Sequence, residues 1–266
     1  MGIHATAIVD GNATLHESVE VGPFCTIGPD VKIGKGTKLV SHVVLQGNVT
    51  IGENNEIFPF ASLGQPPQDL KFDGETTELV IGNNNSIRES VTMSLGTKGG
   101  GGVTSIGDSN LFMALAHVGH DCHIENNCVF ANGATLGGHV YVGDNAIIGG
   151  LSAVHQFVRI GQHVMVGGVS PVVRDVIPFG AVSGNRAHLD GLNLVGLRRR
   201  GFERDTIKAL MAAYKIVFES SEGSVEDRAR QAAETYADIP EVAAWVAFIE
   251  DSERGLCMPK NVGDDA

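Results

Sequence analysis

One period constrains this chain more than any other feature. From Ile106, every sixth residue is apolar without interruption: Phe112, Val118, Ile124, Phe130, Leu136, Val142, Ile148, Val154, Ile160, Val166 and Val172. A helix repeats its apolar face near 3.6 residues and a half-buried strand every 2, so neither sustains a strict period of six. A parallel β-helix of hexapeptide repeats does, because each sixth side chain then enters one continuous core. The same phase appears earlier in Val9, Leu15, Val21, Ile27, Ile33, Leu39, Leu45, Ile51, Ile57 and Leu63. Two residues before many of these stands a small or β-branched residue, as at Cys25, Val31, Thr37 and Val43. Many are followed directly by glycine, as at Gly22, Gly34, Gly107 and Gly143. These glycines are expected to be the corner residues, taking φ > 0 at little cost.

Two stretches interrupt the repeat. After Leu63 the in-phase positions are Asp69 and Glu75, and between Met93 and Ile106 the step is 13 residues. The turn-forming run Gly64-Gln65-Pro66-Pro67 and the glycines from Gly99 to Gly102 predict protruding loops near 64–80 and 96–105. Long loops in repeat architectures collect on a functional face. The repeat ends near Pro178, and beyond Asp190 apolar residues follow helical spacing, as in Ile207, Leu210, Met211 and Tyr214. Ser224 with Asp227 three residues on predicts a capped helix start, and Glu241 to Phe248 predicts another helix with Trp245 inward. The expected organisation is a β-helix over 1–189 and a small helical domain over 190–266 capping one open end. The tail after Arg254 is expected to be loose.

Composition narrows the function. A net charge of −12 argues against nucleic-acid binding and obliges any anionic ligand to find a local basic patch. Arg198-Arg199-Arg200 is such a patch, suited to a phosphate or an acidic partner. The four cysteines show no metal-type spacing and fit a reducing compartment. Without an apolar run of about 18 residues or a signal-like N-terminus, no membrane insertion and a cytoplasmic location are expected.

Three hexads make a coil of 18 residues, so residues 18 apart should stack about 4.8 Å from each other. Gly138 then lies above His120, Gln156 above Gly138, and His139 above Asp121. These are parts for acyl transfer: a general base, a group to orient it, and a backbone donor for an oxyanion. A lone imidazole on such a face is ordinarily an inert surface residue, and His4, His16, His123 and His163 are expected to be that. The convergence around His120 sets it apart. A competing arrangement uses His117, His120 and His139 as zinc ligands of a metal-dependent hydratase. The adjacency of His120 and Asp121 favours a base with its orienter, with no metal or cofactor.

The run His-Val-Gly-His-Asp-Cys at 117–122 joins Gly-Gly-His-Val at 137–140, Val-His-Gln-Phe at 154–157 and Met-Val-Gly-Gly at 165–168. With Pro67-Gln68-Asp69-Leu70-Lys71 and Leu197-Arg198-Arg199-Arg200-Gly201-Phe202, nearly the whole chain resembles the UDP-N-acetylglucosamine acyltransferases of lipid A biosynthesis. The resemblance implies a left-handed β-helix, a homotrimer with sites between subunits, and a 3-hydroxyacyl group delivered by acyl carrier protein to the sugar 3-position. It implies His120 as general base, Asp121 as its orienter and the Gly138 N–H as oxyanion donor. Asp69, Lys71, His117, His139 and Gln156 would line the substrate groove. His155 and Arg199 would bind the nucleotide end, and Arg198, Arg199 and Arg200 would help dock the carrier. Gly168, two and two-thirds coils after His120 and so about 13 Å along the axis, would limit acyl length. Ser94-Leu95-Gly96-Thr97 stands where the family reads His-Arg-Gly-Thr. Loss of that pair raises a second acceptor, the 3-amino analogue of the UDP-sugar, which would give an amide.

Overall fold

A computed structural model describes residues 2–220 and 222–260. Through Val172 the chain winds as a left-handed parallel β-helix, its strands mostly two residues long and falling in turn onto three sheets. The sheets hold 11, 9 and 8 strands. Partners in the regular coils are 18 residues apart, as in His117 with Thr135 and Val129 with Ile147. A two-residue strand buries nothing by itself; stacking encloses its inward side chain. Ile27, Leu45, Leu63, Val118 and Leu136 are all buried, and so is the second row formed by Cys25, Val31 and Val43.

The corners differ from the expectation. Gly22, Gly34, Gly107, Gly119 and Gly143 do not have positive φ. Space is what requires glycine there: a Cβ on Gly34 would lie 2.7 Å from the Gly52 carbonyl oxygen, and one on Gly22 would overlap that of Val40. The left-handed residue comes two positions later and is mostly not glycine, as at Phe24, Ser109, Asp121, Asn145 and His163. Such a conformation costs an L-residue roughly 1–2 kcal/mol. Backbone bonds to the preceding coil offset it, as in His139 N–H to the His120 carbonyl at 2.9 Å and Val169 N–H to that of Gly150 at 2.8 Å.

Both interruptions leave the same edge of the prism. Residues 66–77 join the strand Ser62–Gln65 to Glu78–Ile81, and residues 95–102 join Thr92–Ser94 to Val103–Ile106. Each connection runs from the nine-stranded to the eight-stranded sheet. The pairings Ile51 with Ile81 and Ile81 with Ile106 lengthen these coils to 30 and 25 residues. The next coil crosses that edge between His117–Val118 and His123–Ile124. The two loops therefore overhang the corner that carries His120 and Asp121.

The coils end in an antiparallel pair, Gly180–Ser183 with His188–Leu192. Helices α1 (Leu194–Arg199), α2 (Arg204–Tyr214), α3 (Val225–Thr235) and α4 (Pro240–Glu250) follow. Ser224 caps α3 by accepting the Asp227 N–H at 3.1 Å. Buried Trp245 ties α4 to the prism, its Nε1 donating to the Pro178 carbonyl at 3.0 Å. The tail after Arg254 is not loose as far as it is described. Asp175 N–H donates to the Gly255 carbonyl at 2.9 Å, Cys257 N–H returns to the Asp175 carbonyl at 2.8 Å, and Leu256 and Cys257 are buried. Residues 261–266 of that tail lie outside the described residues.

His163 also departs from the expected surface role. Its ring stacks on Phe179 at 5.7 Å and meets the edge of Phe202 at 5.0 Å. Burial, then the nearby Arg200 charge, push its pKa from 6.5 to about 4. The unfolded chain thus takes up a proton that the folded chain refuses. The corresponding stability is complete above pH 6.5 and is lost as pH falls towards 4. His163→Phe should flatten the decline of the urea midpoint across that window, and parallel wild-type and variant profiles would refute the assignment.

Candidate active site

His120 and Asp121 sit at the overhung corner, held by the short strands on either side. Asp121 has positive φ, as most corner residues of this position do, but its side chain is wholly buried. The cover is the second loop. Thr97 donates its backbone N–H to Oδ1 and its hydroxyl to Oδ2 of Asp121, each at 2.7 Å. Gly100 lies directly over the carboxylate, where a Cβ would overlap Cγ. Asp121 N–H donates to a side chain of the coil below, Thr104 Oγ1 at 2.8 Å, where most corner amides donate to a backbone carbonyl.

The carboxylate orients the imidazole. His120 Nδ1 lies 2.7 Å from Asp121 Oδ2, and its side chain keeps 14% of its exposure. A ring that donates from Nδ1 carries its lone pair on Nε2, the arrangement a general base needs. One coil on, Gly138 is buried against the ring, with 2.5 Å between an added Cβ and His120 Cε1. Its N–H donates to no acceptor among the described residues. A bare backbone donor beside a base is a place for negative charge to develop.

His139 completes the cluster. Its ring meets that of His120 edge-on at 5.0 Å, stacks on Phe157 at 4.3 Å, and places Nε2 3.7 Å from Asp121 Oδ2. Burial lowers its pKa, with Asp121 opposing. His117 is lowered by burial and then by His120, and its Nδ1 lies 2.7 Å from Thr92 Oγ1. Desolvation therefore favours neutral rings at both positions. A cleft of about 290 Å³ opens beside the cluster between the loops and the prism, lined among others by Asp69, Lys71, Phe72, Thr97, His139 and Phe157. The loops are joined by Lys98 N–H donating to Glu75 Oε1 at 3.1 Å.

The structure thus brings His117, His120, Asp121, Gly138, His139, His155 and Gln156 to one edge, with Asp69 and Lys71 over it. It does not bring Gly168 there. Gly168 lies between Met165–Val166 of the 11-stranded sheet and Pro171–Val172 of the nine-stranded sheet, on a different edge. The axial spacing expected from 48 residues leaves out that two-thirds of a coil turns the chain to another corner. Arg198 and Arg199 end α1, exposed, and Arg200 reaches towards His163. Sequence reasoning missed Thr97, Gly100 and Phe157. Phe157 is legible in retrospect, 18 residues after His139; the other two belong to an insertion that the coil arithmetic does not reach.

A fold of stacked hexapeptide coils with this cluster at one corner defines a transferase of the hexapeptide-repeat class. The model of the bacterial transferase hexapeptide (six repeats) matches residues 12–47 and 104–138. That of domain 2 of UDP N-acetylglucosamine O-acyltransferase matches residues 175–257. An acyl-(acyl-carrier-protein)–UDP-N-acetylglucosamine O-acyltransferase of Caulobacter vibrioides is 53% identical over 98% of this chain and 99% of its own length. The Thermodesulfovibrio yellowstonii protein of the same name is 50% identical over 96% of this chain and 98% of its own. A solved structure of LpxA from Acinetobacter baumannii is 45% identical with a TM-score of 0.93, covering 97% of this chain and 99% of that one. The chain belongs to the acyl-(acyl-carrier-protein)–UDP-N-acetylglucosamine O-acyltransferase family.

Gly100→Ala should force the second loop off Asp121 and cost about 1–3 kcal/mol by overpacking. Gly99→Ala, whose Cβ meets nothing within 4 Å, is the control and should be near neutral. Urea unfolding of the two variants decides it, and equal midpoints would mean that the loop does not press on the carboxylate.

Proposed function

We propose that this chain transfers a 3-hydroxyacyl group from acyl carrier protein to the 3-hydroxyl of UDP-N-acetylglucosamine, opening lipid A biosynthesis in the cytoplasm. The observation that carries the mechanism is the relay from Thr97 through Asp121 to His120, with the free Gly138 amide beside it. His120 Nε2 takes the proton of the sugar hydroxyl as its oxygen attacks the thioester carbonyl. The Gly138 N–H receives the oxyanion. On collapse the C–S bond breaks, the new C–O bond remains, and the imidazolium returns its proton to the departing thiolate. A positioned base is worth about 10²–10⁴ in rate, and one oxyanion donor on the order of 3 kcal/mol. Asp69, Lys71, His117, His139 and Gln156 line the groove in this reading, and His155 and Arg199 meet the nucleotide.

The hydratase alternative takes His117, His120 and His139 as zinc ligands, but among the described residues the side chains whose ligand atoms lie within 4.8 Å of one another are His120, Asp121 and His139, with His117 outside the group. The hydrogen bonds favour the base: Asp121 already accepts from His120 Nδ1 and twice from Thr97, so its oxygens are committed to orientation. Ser94 and Leu95 are buried, with 5% and 7% of their surface exposed, and Leu95 belongs to the core. Packing accounts for that pair, which supports the hydroxyl acceptor over the 3-amino analogue.

The scattered edges support a homotrimer. The His120 edge, the Gly168 edge and the Arg198–Arg200 run face different ways on one prism. Cyclic association lets one copy present its Gly168 edge to the His120 edge of the next. The exposed Arg198 and Arg199 then offer an acidic carrier a basic landing on a chain of net charge −12. Among the described residues no helix is long and apolar enough to cross a membrane.

His120→Ala should lower kcat/KM by at least the base's share, about 10²–10⁴, and should also lower the melting temperature, because it leaves the buried Asp121 carboxylate one hydrogen bond short, a loss of about 1–3 kcal/mol. Asp121→Asn should cost less, since it orients without transferring the proton. Single-turnover assays with carrier thioesters and UDP-sugars, products weighed by mass spectrometry, measure both; near-wild-type turnover by His120→Ala would remove it as the base.

A Cβ at Gly168 would meet the Gly150 carbonyl oxygen at 3.3 Å and the Gly150 N at 3.9 Å, a tight contact relieved by a shift of a few tenths of an ångström. Gly168→Met should therefore fold and shift preference to shorter acyl donors. Unchanged chain-length preference would place the acyl groove elsewhere.

A further inference from the structure

The segment after α4 returns to the prism as a strap. Ser252 Oγ donates to Asp175 Oδ2 at 2.8 Å, and Asp175 Oδ1 accepts the Arg159 N–H at 2.8 Å. Asp175 is buried, and burial raises its pKa. Backbone bonds at Gly255, Cys257 and Met258 secure the far side. Between these anchors stands Arg254. Its Nη2 lies 3.1 Å from His155 Nδ1 and 3.5 Å from the Val173 carbonyl oxygen, one proton available for each. Its Nε is buried with no partner among the described residues, so the side chain is held by its far end.

His155 Nδ1 has a second neighbour, the Gln156 carbonyl oxygen at 3.1 Å. The two neighbours make opposite demands. A carbonyl can only accept, and would draw a proton onto Nδ1. A guanidinium can only donate, and needs a lone pair there. Both cannot be satisfied by one ring nitrogen. The guanidinium is charged, and an N–H facing an N–H is repulsive, so Arg254 prevails. With the lone pair on Nδ1, the neutral ring carries its proton on Nε2.

We propose that Arg254 is a positioning residue that sets the tautomer of His155, so that an exposed ring presents an Nε2–H donor at the site edge. The groups it would recognise are acceptors such as the diphosphate oxygens of the UDP-sugar. This last step rests on the nucleotide role given to His155 above. Without Arg254 the ring turns to its Nδ1–H form, bonds to the Gln156 carbonyl, and offers an acceptor where the ligand needs a donor. His155 adjoins Gln156, which follows Gly138 by one coil, so the strap reaches the same edge as the reacting groups.

Nitrogen NMR of the full chain labelled at histidine tests this directly, with the His155 signals assigned by their loss in His155→Ala. The wild type should show Nδ1 unprotonated and Nε2 protonated. Arg254→Met should exchange the two, and Arg254→Lys, which keeps a donor, should restore the wild-type pattern. In steady state Arg254→Met should raise KM for UDP-N-acetylglucosamine about tenfold, the worth of one hydrogen bond to a charged partner. It should leave kcat within about twofold and add nothing in a His155→Ala background. An unchanged tautomer in Arg254→Met overturns the inference, as does a KM effect that persists in full without His155. If His155→Ala leaves KM untouched while the tautomer still switches in Arg254→Met, the nucleotide role of His155 falls and the tautomer control stands.

Discussion

The structure depends on coils that stack at strand spacing through a left-handed corner. Where the chain turns, its backbone lies against the backbone of the next coil, and a Cβ at the entry to the turn collides with a carbonyl. Gly119 and Gly137 occupy that entry below His120 and Gly138, as Gly22 and Gly34 do elsewhere. Two residues on, the backbone adopts positive φ and passes its N–H to the coil before, the cost of the conformation being offset by a hydrogen bond repeated along the prism. Side chains at this second position project outward, and Phe60, Leu115, Leu151 and Val169 are largely exposed. The corner is a device for holding a side chain rigidly off the surface.

Asp121 turns that device inward. It has the same backbone conformation as Leu115 but no side-chain exposure, because the second loop folds Thr97 and Gly100 over it. A carboxylate taken from water must be hydrogen-bonded, and here it accepts from Thr97 twice and from His120 once. Burial of the neighbouring His117 and His139 favours their neutral forms, so little competing positive charge faces the carboxylate. The loops thereby convert a solvent-exposed corner into a desolvated one, where hydrogen bonds orient more strongly.

The C-terminal strap serves the same edge from the other side. Its anchorage on Asp175 explains how the segment from Arg254 to Met258 is held on the prism: each backbone bond alone is modest, but buried Leu256 and Cys257 keep the segment in register. His163, stacked on Phe179 and edge-on to Phe202, belongs to the packing that joins the last coil to the helices.

The period of six by itself determined the parallel coils, the buried rows and the stacking of Gly138 on His120 and His139 on Asp121. Those relations follow from a constant repeat, and a constant repeat is written residue by residue. The capped start at Ser224 and the inward Trp245 were legible for the same local reason, a side chain acting on its own helix. The role of glycine was misjudged because a one-dimensional pattern shows where glycine recurs, not which neighbour excludes a Cβ. Thr97 and Gly100 on Asp121, the strap at Arg254 and the burial of His163 came only with the tertiary structure. Each joins segments whose separation is no multiple of the 18-residue coil, 24 residues from Thr97 to Asp121 and 99 from His155 to Arg254. Where the loops and tail would land was decided by the burial and hydrogen bonds they found on the prism.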